Sequence, residues 1–254
     1  MSANPQHLAL PDGHALAYVR HEGEGPGLIW LGGLRSDMEG TKALALDAWA
    51  RERARAFVRF DYFAHGQSSG DWRQATMGRW RSDALAVIDA LTEGPQILVG
   101  SSMGAWSALL AALARPERVA GLVLIAPAPD FTEALMWAGF SPGIRAQIME
   151  QGEWAQPSGY GDPLIITRQL IEEARNWLLL DGPVGYDGPV RILQGMADPD
   201  VPYTHALRLA ESLTSQDVQM HLSKAGDHRL STPEDIARLW ATVDALIADI
   251  KKAP

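Results

Sequence analysis

Residues 96–106 read Gln96-Ile97-Leu98-Val99-Gly100-Ser101-Ser102-Met103-Gly104-Ala105-Trp106, an apolar run that stops at a glycine and passes at once into a segment rich in Ala and Leu, ended by Pro116. A short continuous apolar run is what a parallel strand buried on both faces requires. The segment after it has helical composition and a proline stop. A strand that runs straight into a helix is the building unit of a parallel sheet covered by helices on both faces.

Outward from this unit the same rhythm repeats. Residues 8–10 and 15–21 flank Pro11-Asp12-Gly13 and predict an opening hairpin. Residues 28–31 form a short buried run that stops at Gly32-Gly33, and residues 39–54 carry Leu44, Leu46 and Trp49 at helical spacing. Residues 56–63 alternate as a strand, 77–92 are helical, and 119–126 predict the sixth strand. Regularity then fails from Pro127 to Pro189, a stretch with helical patches such as PLIITRQLIEEARNWLLL. An excursion of that length between two strands is too long for a simple connection and predicts a helical lid. The rhythm resumes with a strand at 190–193, a helix near 203–213, a strand at 218–222 and a helix over 233–250. The expected fold class is α/β: a mostly parallel, doubly wound sheet, with a core of residues 1–126 and 190–254 and a helical lid of residues 127–189 after the sixth strand.

Composition excludes several function classes. The 22 Lys plus Arg residues are outnumbered by 31 Asp plus Glu, and the net charge of −9 repels phosphate backbones and anionic headgroups. No nucleic-acid partner and no stable membrane insertion are expected. The Arg51, Arg53, Arg55 and Arg59 group sits at a helix-to-strand junction and reads as a solvated helix end. There are no cysteines, which removes disulfides, thiolate zinc sites and a cysteine nucleophile together. His and carboxylate residues show no metal-ligand spacing such as H-E-x-x-H, so no metal is expected. The Gly-rich GEGEGPG precedes its strand, whereas a dinucleotide fingerprint follows one, so no cofactor is expected either. The N-terminus MSANPQHLALPDG lacks a basic stretch leading an apolar core, which predicts a cytoplasmic protein.

The chemistry is carried by Gly100-Ser101-Ser102-Met103-Gly104, which fits G-x-S-x-G between a strand and a helix. Small residues there permit a sharp turn that lifts the Ser102 hydroxyl clear, and the helix start leaves free N–H groups, Met103 among them, for a developing oxyanion. A nucleophilic serine needs a base, and in such folds the partners follow in the order Ser, Asp, His. Of the later histidines, His205 lies in a helix and His221 in a strand, whereas His228 sits in the loop KAGDHRLS after the last strand. Its imidazole can take the Ser102 proton and return it to a leaving group. Asp198, just after a strand, is the favoured acid that fixes the imidazole tautomer. Asp200 competes, but Pro199 and Pro202 bracket it as a turn residue, and Asp227 adjoins the histidine. Gly32-Gly33 is either a tight strand exit or a turn that offers the Leu34 N–H as a second oxyanion donor.

The stretches WLGGLRSDMEGTKA, RFDYFAHGQSSG, GPQILVGSSMGAW, ARPERVAGLVLIAP, RILQGMADPDVP and GDHRLS resemble the α/β-hydrolase-domain proteins that include a mitochondrial palmitoyl-protein thioesterase and acyl-glucuronide esterase. The resemblance runs from about residue 27 to residue 247. It implies the α/β-hydrolase fold, a Ser102, Asp198 and His228 triad, and an oxyanion hole from Leu34 and Met103. Three departures stand out: Ala105 replaces an expected Gly, Phe63-Ala64 replaces Ser-Gly before His65-Gly66, and no mitochondrial transit segment precedes the domain. The last fits a free-standing bacterial enzyme. His65 is expected to shape a loop, not to carry protons.

The expected reaction is hydrolysis of small-molecule esters or thioesters of apolar acyl groups, with Trp137, Trp154, Trp177, Met136 and Phe140 of the lid forming an acyl pocket. A C–C bond hydrolase or an amidase would use the same triad. A non-catalytic receptor shares the fold, but such proteins often lose the triad.

Overall fold

A computed structural model describes residues 4–157 and 162–252. Among the described residues ten strands are formed: β1 Gln6–Ala9, β2 Ala15–His21, β3 Glu24–Leu31, β4 Arg55–Phe60, β5 Gln96–Ser101, β6 Val119–Ile125, β7 Glu153–Gln156, β8 Leu164–Thr167, β9 Val190–Gly195 and β10 Val218–Ser223. Eight of them form one sheet in the order β1-β2-β4-β3-β5-β6-β9-β10. Pairing is antiparallel where β2 meets β1 and β4, and parallel from β4 through to β10. β5 lies near the middle, and all six of its residues are buried.

Seven α-helices among the described residues accompany the strands: α1 Thr41–Glu52, α2 Met77–Leu91, α3 Met103–Ala114, α4 Pro142–Gln151, α5 Arg168–Ala174, α6 Tyr203–Ser212 and α7 Pro233–Lys252. The apolar faces of α2, α3 and α6 pack on one side of the sheet around Trp80, Trp106 and Leu209. Those of α1 and α7 pack on the other around Trp49 and Val243. The strand order reverses at β3, whose neighbours are β4 and β5. The connection after β3 therefore leaves toward one face and that after β5 toward the other, which opens a crevice at the carboxyl edge of the sheet. Leu34 and Ser102 stand on its two lips.

Three local expectations are corrected. The strand expected over residues 56–63 stops at Phe60. The buried Asp61 carboxylate accepts from the Met38 N–H at 2.6 Å and the Gln67 N–H at 2.8 Å, and so turns the chain. The insertion between β6 and β9 is not purely helical, because β7 and β8 form an antiparallel hairpin within it. The β-branched Ile165, Ile166 and Thr167 favour that hairpin over the helix which the surrounding pattern suggested. The insertion also holds one turn of π-helix, Thr132–Trp137.

The third correction concerns the arginines near β4. Arg51 and Arg53 are exposed, but Arg59 is 1% exposed, and its Nε donates to Asp47 at 2.8 Å. Burial alone would raise the Asp47 carboxyl, but the His21 ring 3.4 Å away and hydrogen bonds from Arg59 and Arg51 outweigh it and hold the pKa well below the usual carboxylate range. Asp47→Ala is expected to destabilise the protein by about 3–5 kcal/mol, because it leaves the Arg59 guanidinium buried without its carboxylate. A depressed pKa stabilises the fold above the unfolded value and is lost as pH falls through the folded one. Urea unfolding at pH 7 and below the ordinary carboxylate value of about 4 checks both points: the difference between wild type and variant should persist down to that value and shrink below it.

Candidate active site

Ser102 is the residue between β5 and α3, with φ 56° and ψ −118°. A non-glycine residue in the left-handed half of backbone space is strained and is held there by its surroundings. Its N–H donates to Ile125 O at 2.9 Å, and its carbonyl accepts from the Ala105 N–H at 3.0 Å. The turn is tight enough to need its glycines. A side chain on Gly100 would come within 2.5 Å of Gly104 O, and one on Gly104 would collide with the Leu31 and Gly32 carbonyls. The Ser102 hydroxyl does not cap its own helix.

His228, in the loop after β10, bonds Asp198, in the loop after β9, through Nδ1 to Oδ2 at 2.8 Å. The other Asp198 oxygen accepts from the Asp200 and Val201 N–H groups at 2.8 and 2.9 Å. Burial would raise the Asp198 carboxyl, but the bonds from His228, Val201 and Asp200 outweigh it and keep the pKa below the usual value. Asp198 is thus an anion that accepts the Nδ1 proton of His228 and leaves Nε2 free to act as a base. Asp198, Asp200 and His228 each offer one ligand atom within 4.8 Å of the others. Both Asp198 oxygens are already engaged, so the set reads as an oriented histidine and not as a metal cradle.

Ser102 and His228 line the same cavity of about 820 Å³, together with Leu34 and Met103, without a hydrogen bond between serine and histidine. Neither the Leu34 nor the Met103 backbone N–H donates to another described residue. A side chain on Gly33 would lie 3.4 Å from Ser102 Cβ, so glycine keeps this wall open. His65 holds the Leu34 turn from behind. Its Nε2 accepts from the Arg35 N–H at 3.0 Å, and its Nδ1 donates to Phe63 O at 3.0 Å. Burial holds its pKa below the usual histidine value, so the neutral ring that makes both bonds is favoured. Ala64, where the resemblance expects Gly, takes φ 60° and keeps the turn.

The sequence-based acyl residues divide. Met136, Phe140 and Trp154 line the cavity, joined by Phe131, Leu135 and Ile144. Trp137 and Trp177 do not. The Arg145 and Arg175 guanidinium groups each stand over the Trp137 ring. Trp177 lies under Arg81, donates to Glu173 at 2.6 Å, and accepts the Trp106 indole N–H on its carbonyl. A guanidinium that stacks on an indole face occupies it, and Arg81, distant in sequence from Trp177, leaves no local sign of this in the residues. Trp30 and Lys42 also line the cavity and were not expected there.

A family model described as the alpha/beta hydrolase family matches residues 26–247. The chain belongs to the α/β hydrolase family. It is 42% identical over 234 residues to the mitochondrial palmitoyl-protein thioesterase ABHD10 of Mus musculus, spanning 91% of this chain and 78% of that protein. It is 40% identical to the Homo sapiens protein of the same name over 94% and 79% of the two chains. The solved mouse ABHD10 structure superposes with a TM-score of 0.91 at 39% identity, covering 98% of this chain and all of that one. A putative hydrolase from Agrobacterium vitis S4 superposes with a TM-score of 0.91 at 43% identity, over 96% and 100% of the chains. No helix among the described residues is long and apolar enough to cross a membrane.

Proposed function

We propose that this α/β hydrolase is a serine hydrolase that cleaves esters and thioesters of apolar acyl groups through an acyl-enzyme. The observation that carries the reading is a serine strained into a left-handed turn, facing one cavity with an aspartate-bound histidine and two backbone N–H groups without partners among the described residues. In this mechanism Ser102 Oγ attacks the acyl carbonyl while His228 Nε2 takes its proton. The Leu34 and Met103 N–H groups receive the oxyanion. The imidazolium, stabilised by Asp198, passes the proton to the leaving group. Water then repeats the sequence on the acyl-Ser102 ester and frees the acid.

The apolar wall of Phe131, Leu135, Met136, Phe140, Ile144 and Trp154 supports an aliphatic or aryl acyl group, and so do the relatives named as palmitoyl-protein thioesterases. Each buried methylene is worth about 0.8 kcal/mol, roughly fourfold in kcat/KM, until the wall is filled. The test is kcat/KM across C2 to C16 p-nitrophenyl esters and matching thioesters. Trp154→Ala and Met136→Ala are expected to flatten the rise with chain length, and Trp177→Ala to preserve its slope. A flat wild-type profile would remove the apolar-acyl assignment.

A further inference from the structure

A second cavity, of about 340 Å³, adjoins the turn that presents the Leu34 N–H, and its lining includes Arg35, His65, Trp72, Pro163 and Ile165. These residues join the lid hairpin to that turn. The Ser36 N–H closes the turn by donating to Gly33 O at 3.0 Å, and Arg35 occupies its third position with φ 56°. Gly or Asn is the ordinary choice for a positive φ there, so the arginine is strained. Both ends of Arg35 are engaged. Its backbone N–H donates to the buried His65 Nε2 at 3.0 Å, while its Nη1 crosses to the lid and donates to Pro163 O at 3.1 Å and Asp162 O at 3.3 Å. β8 begins at the next residue, Leu164. A second tie returns by another route: the Trp72 indole N–H donates to Ile165 O at 2.7 Å, and the Trp72 ring packs edge-on against His65 with centroids 5.4 Å apart. Hairpin, Trp72, His65 and Arg35 thus close a circuit. The same hairpin brings Trp154, Gln156 and Leu164 to the catalytic cavity.

Only the φ and ψ of Leu34 separate the peptide that His65 fixes from the peptide that carries the Leu34 N–H. Anchoring Arg35 to the lid therefore limits how far that donor drifts. On the serine-hydrolase reading above, we propose that Arg35 is a positioning residue: its guanidinium clasps the lid hairpin and so holds the Leu34 N–H in the oxyanion hole, which is complete only while the hairpin is docked. Bonds from an exposed guanidinium to carbonyls contribute little one at a time. These act on a group whose placement sets the rate, because a small displacement at the reacting centre slows the chemistry far more than it weakens the fold. The hairpin is held at one further point, where Arg73 donates to the Glu153 carboxylate at 2.7 and 3.1 Å at the start of β7. Neither of these side chains bonds the turn, so this ion pair is a separate handle on docking.

The test is steady-state kinetics on 4-nitrophenyl acetate and 4-nitrophenyl decanoate, with kcat normalised to the sites that a fluorophosphonate labels at completion. Arg35→Met keeps the apolar stem and removes the donors. It is expected to lower kcat on the acetate by about 10-fold, part of the roughly 10²- to 10³-fold that loss of a whole oxyanion donor costs. KM for the acetate should stay within about twofold, since the loss falls on the transition state. Affinity for ethylboronic acid, whose adduct on Ser102 puts an oxygen in the hole, should fall in step with kcat. Arg35→Lys keeps a donor for the lid carbonyls and should recover most of kcat. Glu153→Arg sets a like charge against Arg73 and is expected to lower kcat on the acetate by about fourfold, the scale of an exposed ion pair. In the Arg35→Met background the same change should cost less than about twofold, whereas independent sites give equal factors in both. Two kinetic outcomes overturn the clasp. One is an unchanged kcat on the acetate in Arg35→Met with KM raised for the decanoate alone, which makes the hairpin a wall and nothing more. The other is a kcat loss in Arg35→Met that Glu153→Arg neither shares nor modifies, which confines Arg35 to its own turn. Amide hydrogen exchange reads the coupling without turnover: residues 35 and 36 should lose protection together with residues 164–167 in both variants. If wild type cleaved neither ester, the hydrolase reading would fail, and exchange would still decide the clasp: unchanged protection of residues 35 and 36 in both variants refutes it.

Discussion

Ser102→Ala is expected to lower ester turnover by about 10³- to 10⁶-fold, the range seen when a nucleophile that works as one unit with its base is removed. The loss should fall on kcat, because the cavity walls that bind substrate are untouched. It should not fall on the fold. The Ser102 side chain is only half-buried and caps nothing, while the turn is fixed by backbone bonds to Ile125 O and from the Ala105 N–H, which alanine retains. The same variant should lose covalent labelling by a fluorophosphonate while its urea midpoint stays near that of wild type. Retained labelling and turnover would locate the nucleophile elsewhere. Ser101 makes a sharp control, since it adjoins Ser102 and lines the same cavity but ends β5 in ordinary strand pairing. Ser101→Ala should leave labelling in place.

The parts of this site that depend on chain order were legible from the residues. A serine after a buried strand, an aspartate after a later strand and a histidine after the last one must come to one edge of a parallel sheet, because every such strand ends there. The Asp198–His228 bond is the geometric form of that rule. Parts that depend on side-chain direction were not legible. Five lid residues were expected around the acyl group on hydrophobicity alone, yet Trp137 and Trp177 are engaged by arginines from neighbouring elements. Lys42 was hidden for the opposite reason. On a helix whose apolar positions face the sheet, a lysine reads as solvent-facing. It is half-buried here because α1 begins at the cavity rim and its first turn meets the histidine loop. Arg59 was misread in the same way, since only the position of Asp47, twelve residues earlier, decides that its charge is paired inside.

The choice between Asp198 and Asp200 as the acid gives the second large effect. Asp198→Asn is expected to reduce kcat by on the order of 10³–10⁴, the scale on which an enzyme of this logic depends on the histidine tautomer. The hydrogen bonds dictate the outcome. Asp198 Oδ1 accepts from two backbone N–H groups, those of Asp200 and Val201, so an asparagine must keep its carbonyl oxygen there. Its amide nitrogen then replaces Oδ2 and turns N–H groups toward His228 Nδ1 and the Gln194 amide, which donates to Oδ2 at 3.3 Å. A donor facing Nδ1 forces the imidazole proton onto Nε2, where the base has to be bare. The ring stays in position and cannot accept the Ser102 proton. Asp200 contributes its backbone N–H to this arrangement, and its exposed carboxylate makes no bond to the histidine. Asp200→Asn preserves that N–H and should change kcat by no more than about threefold, the effect of a solvated charge near a site. The measurements are kcat for both variants and the ¹⁵N shifts of His228, which report the tautomer directly. Equal losses in the two variants, or a His228 that keeps its proton on Nδ1 in Asp198→Asn, would sink the assignment of Asp198 as the residue that orients the base.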